Sequence, residues 1–449
     1  MTETDRYRQH LDTLDRQLAR ALETAARQGR GYDAVVFHSG RAAVYHRDDE
    51  AVPFRASAHF RRWTPLDGPE HVVLARPGAR PRVVRVRPRD YWYDTSPPPP
   101  SYWEEAVDLA EVGSFKDVKD ALDLPPRTAY VGPTPKTAEE LGLPADAVEP
   151  EELMAPLDWL RAYKTEHELS RIARAAEKTA GGHERARKAF KSWSSEREIY
   201  WAYLEASDQL EIENPYVPIV ALDEKAAILH YQEKRGAEAA PGKVLLIDAG
   251  GACEGYAADV TRTWAQDDCD GVYLTLLEAV DRLERELVAM VTPGRPYLEI
   301  HLAAYRGVSR LLVETGLVRT SVDEAVERRI TSAFFPHGVG HQIGLQVHDV
   351  GGHQAGPEGG KAPPPEEHPF LRNTRILEPG HVVTIEPGLY FISMLLEPWR
   401  AGESAAAIDW ALVDRLTPHG GIRIEDNVVC TDGEPRDLTR PLLAGPRGE

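Results

Sequence analysis

The sequence predicts an α+β fold in two parts: a smaller N-terminal α/β domain over residues 1–162 and a larger domain over 163–449. Three observations carry that prediction. An amphipathic helical pattern opens the chain and gives way to apolar strand patterns. Near residue 162 the sequence turns strongly helical. Beyond it, strands alternate with long helices, and the strand pairs are joined by short Gly-containing turns, which favours antiparallel pairing.

Each element follows from local pattern. Over residues 5–29, Leu11, Leu14, Leu18 and Leu22 fall on one side of a helix, and YDAVVFHSG then reads as a strand ending in a Gly turn. Residues 71–78 and 82–88 read as strands joined by a Gly/Pro hairpin connection. The proline-rich segment 95–105 reads as a rigid surface loop or a polyproline ligand, with Trp92, Tyr102 and Trp103 beside it as packing residues. Thr165 with Glu168 and Ser195 with Glu198 have capping-box spacing, so each starts a helix. Strands NPYVPIVALD, AILHY, KVLLIDAG and DVTRTW follow, with helices over 272–291 and 297–316. The last strands carry Glu386 and Glu425, and residues 398–409 read as a surface loop.

Composition narrows the partners. Forty-two per cent hydrophobic residues allow full cores, while 53 Lys plus Arg against 72 Asp plus Glu give a net charge of −19. That balance disfavours nucleic acid and anionic membrane as partners. Cys253, Cys269 and Cys430 lack CxxC spacing, which points away from a disulfide framework or zinc ribbon and towards a reducing cytoplasm. The charged N-terminal stretch lacks the apolar centre of a signal peptide, and no segment has the apolar length of a bilayer-spanning helix.

Four segments carry chemistry: residues 245–264, 334–352, 382–391 and 420–429. They supply the carboxylates Asp248, Asp259, Glu386 and Glu425, and the histidines His337, His341 and His348; His230 in AILHY adds a fourth imidazole. An oxygen-rich set suits hard divalent ions, and four carboxylates in one pocket repel unless cations stand between them. Asp248 and Asp259 flank a Gly-rich stretch that a hairpin can fold back, although either alone is as readily a turn residue. Glu386 and Glu425 are flanked by Ile and Val, where an unpaired carboxylate costs several kcal/mol. Arg372, Arg375 and Arg423 lie near these segments. Arg423, two residues from Glu425, serves equally as a fork for a substrate carboxylate or as a neutraliser of site charge. These residues predict a dinuclear metal-dependent hydrolase.

FHSG, NPYVPIVALD, AILHY, FFPHGVGHQIGLQVHDVGG, HPFLRNTR, TIEPGLYF and GGIRIEDN together resemble the pita-bread metallopeptidases, and within them the bacterial Xaa-Pro dipeptidase (prolidase) branch that includes organophosphorus acid anhydrolase. The resemblance runs from about residue 33 to about residue 440. It implies a C-terminal pita-bread domain in which Asp248, Asp259, His341, Glu386 and Glu425 bind two divalent ions, usually manganese, although cobalt and zinc suit such ligands too. Asp259 and Glu425 would bridge the pair, with Asp248 completing one ion and His341 and Glu386 the other.

His341 is singled out because the family places its next functional histidine seven residues later, at His348. The resemblance further implies a hydroxide made at neutral pH between the ions, proton transfer through Glu386, and contact of His348 and His230 with the substrate carbonyl. Tyr216, Leu229, Tyr297, His337 and Leu371 would line the pocket, and Arg372 or Arg423 would hold the carboxylate of an Xaa-Pro dipeptide. In related enzymes an acidic residue of the loop after FHSG, here Asp48 or Asp49, reaches the neighbouring subunit of a homodimer. Organophosphate triester hydrolysis would be a side activity. The alternatives are an aminopeptidase acting before proline in longer peptides, and a non-enzymatic binding protein of the same fold, against which retention of all five ligands counts.

Overall fold

The structure, a computed structural model, describes residues 1–94, 101–238 and 241–445. The chain divides into two compact units, Met1–Leu169 with Gln354–Lys361, and Ser170–His353 with Ala362–Glu449. Helices and strands mix in both, as the α+β class requires.

In the first unit, Thr2 and Asp5 form a capping box that starts the helix Glu3–Arg27. Its apolar stripe, with Leu11, Leu14, Leu18 and Leu22, is buried on one face of a five-stranded sheet. The inner strand Ala34–His38 is buried throughout: Val35 and Phe37 join that core, while Ala34 and Val36 join a second core on the other face. It pairs antiparallel with Val72–Ala75, which pairs antiparallel with Arg82–Val86, the expected hairpin. Two further strands, Asp108–Val112 and Thr128–Val131, join in parallel at the edges. Their short, partly polar sequences give little strand signal.

Trp103 is buried, and Tyr102 packs beside it, as expected for packing residues. Trp92 is 76% exposed, so that expectation fails there: it lies in a bend beyond the strand Arg82–Val86, next to an equally exposed Tyr91 and Tyr93. Residues 95–100 of the proline-rich segment lie outside the described residues. Asp48 and Asp49 are exposed in a tight turn, where the Asp48 carboxylate accepts the N–H groups of Asp49 and Glu50.

In the second unit, the antiparallel strands Ile219–Leu222, Val244–Asp248 and Thr261–Ala265 form one sheet, with Val244–Asp248 in the middle. The helices Gly271–Val288 and Tyr297–Glu314 bury Leu276, Leu283, Ile300 and Val308 in the main core. Both expected capping boxes are present, at Thr165/Glu168 and at Ser195/Glu198. Among the described residues, no helix is long and apolar enough to cross a membrane.

Three local readings need correction. AILHY is not a strand. The carboxylate of Asp223, whose φ is 53°, accepts the N–H groups of Lys243 and Val244, and this turns the chain out of the sheet into the short 3-10 helix Asp223–Ala227. Residues 398–409 are not simply a surface loop, because the helix Ser393–Arg400 includes Pro398 and both Ala407 and Ile408 enter the core. Glu386 and Glu425 lie in breaks between strands rather than within them. Val382–Ile385 pairs with Asp426–Val429 before the break, and Gly388–Tyr390 pairs with Gly421–Arg423 after it. Pro387, which has no N–H to give the ladder, interrupts the first strand.

Candidate metal centre

Strand register gathers the acidic residues. The pairing Ile385 to Asp426 and Gly388 to Arg423 continues in step across the break, so Glu386 stands opposite Glu425, where cross-strand side chains share a face. Asp248 ends its strand opposite Thr261, and Asp259 lies two residues before Thr261 on that same side. Residues 339–343 run beside 382–386: Glu386 N–H donates to the Val339 carbonyl and Thr384 N–H to the His341 carbonyl, each at 2.8 Å. This close approach explains Gly340, whose φ is 145°. A Cβ there would sit 2.2 Å from the Thr384 carbonyl oxygen.

The result is a buried cluster in which Asp259, His341 and Glu425 each bring a ligand atom within 4.8 Å of the others. His341 Nε2 lies 3.4 Å from Asp259 Oδ2 and 3.8 Å from Glu386 Oε1. Its Nδ1 is 3.0 Å from the Gln342 carbonyl, which can only accept; a proton therefore sits on Nδ1, and Nε2 is the nitrogen turned to the carboxylates. Asp248 is held differently. Tyr216 donates to its Oδ1 at 2.8 Å, and Arg423 donates to its Oδ2 at 2.6 Å.

The electrostatics fit a cation. Burial pushes Glu386 up to about 7 against the pull of His341 and Arg423. Burial also raises Glu425 well above the usual carboxylate range, and neighbouring Asp259 and Glu386 add to the shift. Asp248 is raised by burial despite its contact with Arg423. At Asp259 burial works upward too, but the facing His341 outweighs it and holds this carboxyl low. Protein groups alone thus oppose ionisation of three of the four acids. A divalent ion would reverse that, and carboxylate oxygens with one imidazole are suitable donors for it.

Arg423 joins this charge balance. Besides Asp248 it donates to the hydroxyls of Thr261 at 3.0 Å and Tyr390 at 2.9 Å, so the neutralising role matches its contacts. The Thr261 hydroxyl in turn donates to Glu425 Oε2 at 2.7 Å. His337 Nδ1 donates to the Gly338 carbonyl and its Nε2 accepts from Tyr390, while burial holds its pKa down to about 3. His348 is exposed and stands edge-on to His341 with ring centroids 4.3 Å apart. His230 is exposed, and its ring acts electrostatically on both His337 and His348.

The expected pocket residues divide. Tyr216 and Leu229 are half-buried, Tyr216 on Asp248 and Leu229 against the cluster containing Tyr231 and Tyr390. Tyr297 and Leu371 are 0% and 1% exposed and lie in the main core. Tyr297 donates its hydroxyl to the Thr384 carbonyl at 2.7 Å, bracing the strand beside His341. Arg372 is exposed and makes no ion pair among the described residues, although its charge acts on His337 and His348. Sequence reading missed Thr261, Thr384, Tyr390 and Asn427. Each lies an even number of residues from a ligand in the same segment, and the two-residue period of a strand was the signal that could have found them.

Residues 5–159 match the Xaa-Pro dipeptidase N-terminal domain, and residues 170–432 match metallopeptidase family M24. An Xaa-Pro dipeptidase of Pectobacterium carotovorum subsp. carotovorum is 41% identical over 97% of this chain and 98% of its own. One from Xanthomonas campestris pv. campestris is 40% identical over 98% of each. Among solved structures, aminopeptidase PepP of Pseudomonas aeruginosa superposes with a TM-score of 0.70 at 24% identity, over 95% of both chains. Zinc-substituted aminopeptidase P of Escherichia coli, in complex with product, superposes equally well at 23% identity over 96% of both. At those identities the likeness shows the fold, and the expected pita-bread architecture holds. From its N-terminal domain to its C-terminal strands, the chain belongs to metallopeptidase family M24, in the Xaa-Pro dipeptidase branch of that family of hydrolytic enzymes.

Proposed function

We propose that this enzyme cleaves Xaa-Pro dipeptides with two divalent ions, manganese in the first instance, held by Asp248, Asp259, His341, Glu386 and Glu425. The observation that carries the reading is the buried cluster of Asp259, His341 and Glu425 with Glu386 beside it, in which the imidazole turns its Nε2 towards the carboxylates. These four carboxylates and one imidazole would hold the ions, with Asp259 and Glu425 nearest the middle of the set. Bound there, the ions would polarise the scissile carbonyl and supply hydroxide at neutral pH.

The chain's own groups do the rest. Glu386 takes a proton and delivers it to the leaving imino nitrogen of proline. His348 and His230, both on the exposed side of the cluster, donate to the oxygen on which charge develops. Tyr216 and Leu229 flank the substrate; His337 supports the pocket through Tyr390. Three free cysteines support a reducing compartment, the cytoplasm. In the same reading two copies associate, and Asp48 or Asp49 of one closes the partner's site to dipeptides. Hydrolysis of organophosphate triesters follows from the same nucleophile as a side activity.

The decisive assay uses metal-stripped enzyme reconstituted with manganese and offered Gly-Pro, Ala-Pro and Gly-Pro-Ala. The dipeptides are expected to be cleaved and the tripeptide poorly. Faster cleavage of the tripeptide would make the enzyme an aminopeptidase instead, and no cleavage with any divalent ion would end the proposal.

Between the two arginines, Arg372 is the better carboxylate fork, because all three donor nitrogens of Arg423 are committed to Asp248, Thr261 and Tyr390. Arg372→Gln is expected to raise KM for Gly-Pro about tenfold or more, the worth of a charge-assisted hydrogen bond, with little change for Gly-Pro amide. Equal effects on acid and amide would remove Arg372 from carboxylate binding.

A further inference from the structure

Behind the metal ligands lies a second group of acids that the proposed reaction does not use. Glu284, Asp426 and Asp437 bring carboxylate oxygens within 4.8 Å of one another, and Glu284 and Asp426 are completely buried. A cation already stands among them. Arg440 lies 2.8 Å from Asp426 Oδ2 and also binds Glu284 and Asp281. Its planar fork meets several carboxylates at once, so the group is an arginine-filled nest rather than a further metal site.

This nest is wired to the ligands through the backbone. Asp426, the central acid, follows Glu425 directly. On its other side Asp426 holds Arg262 at 2.6 Å, and Arg262 donates to the carbonyls of Thr261 at 2.9 Å and Glu425 at 2.7 Å. The Thr439 hydroxyl donates to Asp426 Oδ1 and accepts the Asn427 N–H at 3.1 Å. The Asn427 side chain in turn accepts the N–H of Asp259 at 3.0 Å and donates to the Asp259 carbonyl. The segment around Thr439 and Arg440 therefore fixes the main chain of both Asp259 and Glu425.

We propose that Arg440 and Thr439 are positioning residues for the metal centre: through Asp426, Arg262 and Asn427 they hold Asp259 and Glu425 at ion-binding separation before any metal arrives. Were these two groups free to drift in the stripped protein, restoring their spacing would be charged against metal affinity. A buried ionic network resists that movement because a shift separates desolvated charges from their partners. The inference rests on the metal-centre reading above.

Its test uses the full-length chain, stripped of metal and titrated with Mn2+ and with Co2+ by calorimetry, beside the melting temperature of the stripped form. Arg440→Lys keeps the charge but loses the fork; Thr439→Val keeps the volume but loses the hydroxyl. Both are expected to bind each ion about tenfold or more weakly, as loss of an outer-sphere partner does. Folded variants that bind both ions with wild-type affinity would overturn the proposal, and a lowered melting temperature with unchanged affinity would show a merely structural role. Glu425→Gln is the control. If it too binds both ions as wild type does, the metal-centre reading itself has failed, which is a different result.

Discussion

Replacing Glu386 by Gln is expected to lower kcat on an Xaa-Pro dipeptide by about a thousandfold, equivalent to about 4 kcal/mol of transition-state stabilisation. The substitution is isosteric, so the pairing of the flanking strands Val382–Ile385 and Gly388–Tyr390 is retained. What it removes is an ionisable oxygen. Held beside a bound ion, the Glu386 carboxylate would be ionised at neutral pH, and its oxygen could accept a proton and return it to the leaving nitrogen. His341 Nε2 at 3.8 Å and His337 Nδ1 at 3.9 Å are its nearest basic neighbours, and His337, with its pKa held down to about 3, cannot act as the acid in its place. Steady-state kinetics with the bound metal measured in the same samples separate the two roles. A full metal complement with lost turnover assigns proton transfer; lost metal assigns ligation. Retained turnover would take Glu386 out of the reaction.

The acids of the site were legible because burial of a carboxylate is costly, and that cost shows in sequence as Glu386 and Glu425 flanked by Ile and Val. Asp248 and Asp259 were legible as a pair because the Gly-rich stretch between them can turn back. The supporting residues were harder to read. Tyr390 meets Arg423 only when their two strands pair, and His337 only when a separate bend packs beside them, and nothing in the wording of these segments states that pairing. Arg423 illustrates the same limit. Its neighbour in sequence is Glu425, yet its shortest contact is Asp248, more than one hundred residues away. Tyr297 and Leu371 illustrate a further ambiguity, because an aromatic or a leucine reads alike in a pocket wall and in a core, and both are fully buried with the main core. The edge strands of the first unit escaped because Asp108–Val112, half-exposed and carrying two acids, lacks the apolar run of a central strand.

Stripping the divalent ions is expected to give a protein whose stability falls as pH rises from about 4.5 to about 7, with the stabilisation by added Mn2+ growing over the same range. The sign follows from the raised carboxyls. Glu386 has its folded pKa lifted from 4.5 to about 7 by burial, so between those values the folded protein holds a proton that the unfolded chain has released. The stability contributed by the protonated form is complete below about 4.5 and is lost through about 7, on the order of 3 kcal/mol for this one group. Glu425 and Asp248, also raised by burial, act in the same direction. His341 does as well: burial opposes its charge, but Asp259 and Glu386 outweigh that and raise it, so its ion pair is lost as pH rises. Asp259, held low, acts oppositely, but only below its ordinary value of 3.8. A cation displaces the protons from these carboxylates and binds more strongly as fewer must leave, so its stabilising effect increases with pH. Melting curves of stripped and Mn2+-loaded enzyme across pH 4.5 to 8 would check both slopes, with stripped Glu386→Gln expected to show a flatter one. A melting temperature of the stripped enzyme that climbs through this window, with a metal increment independent of pH, would mean that the four acids do not share one cation site.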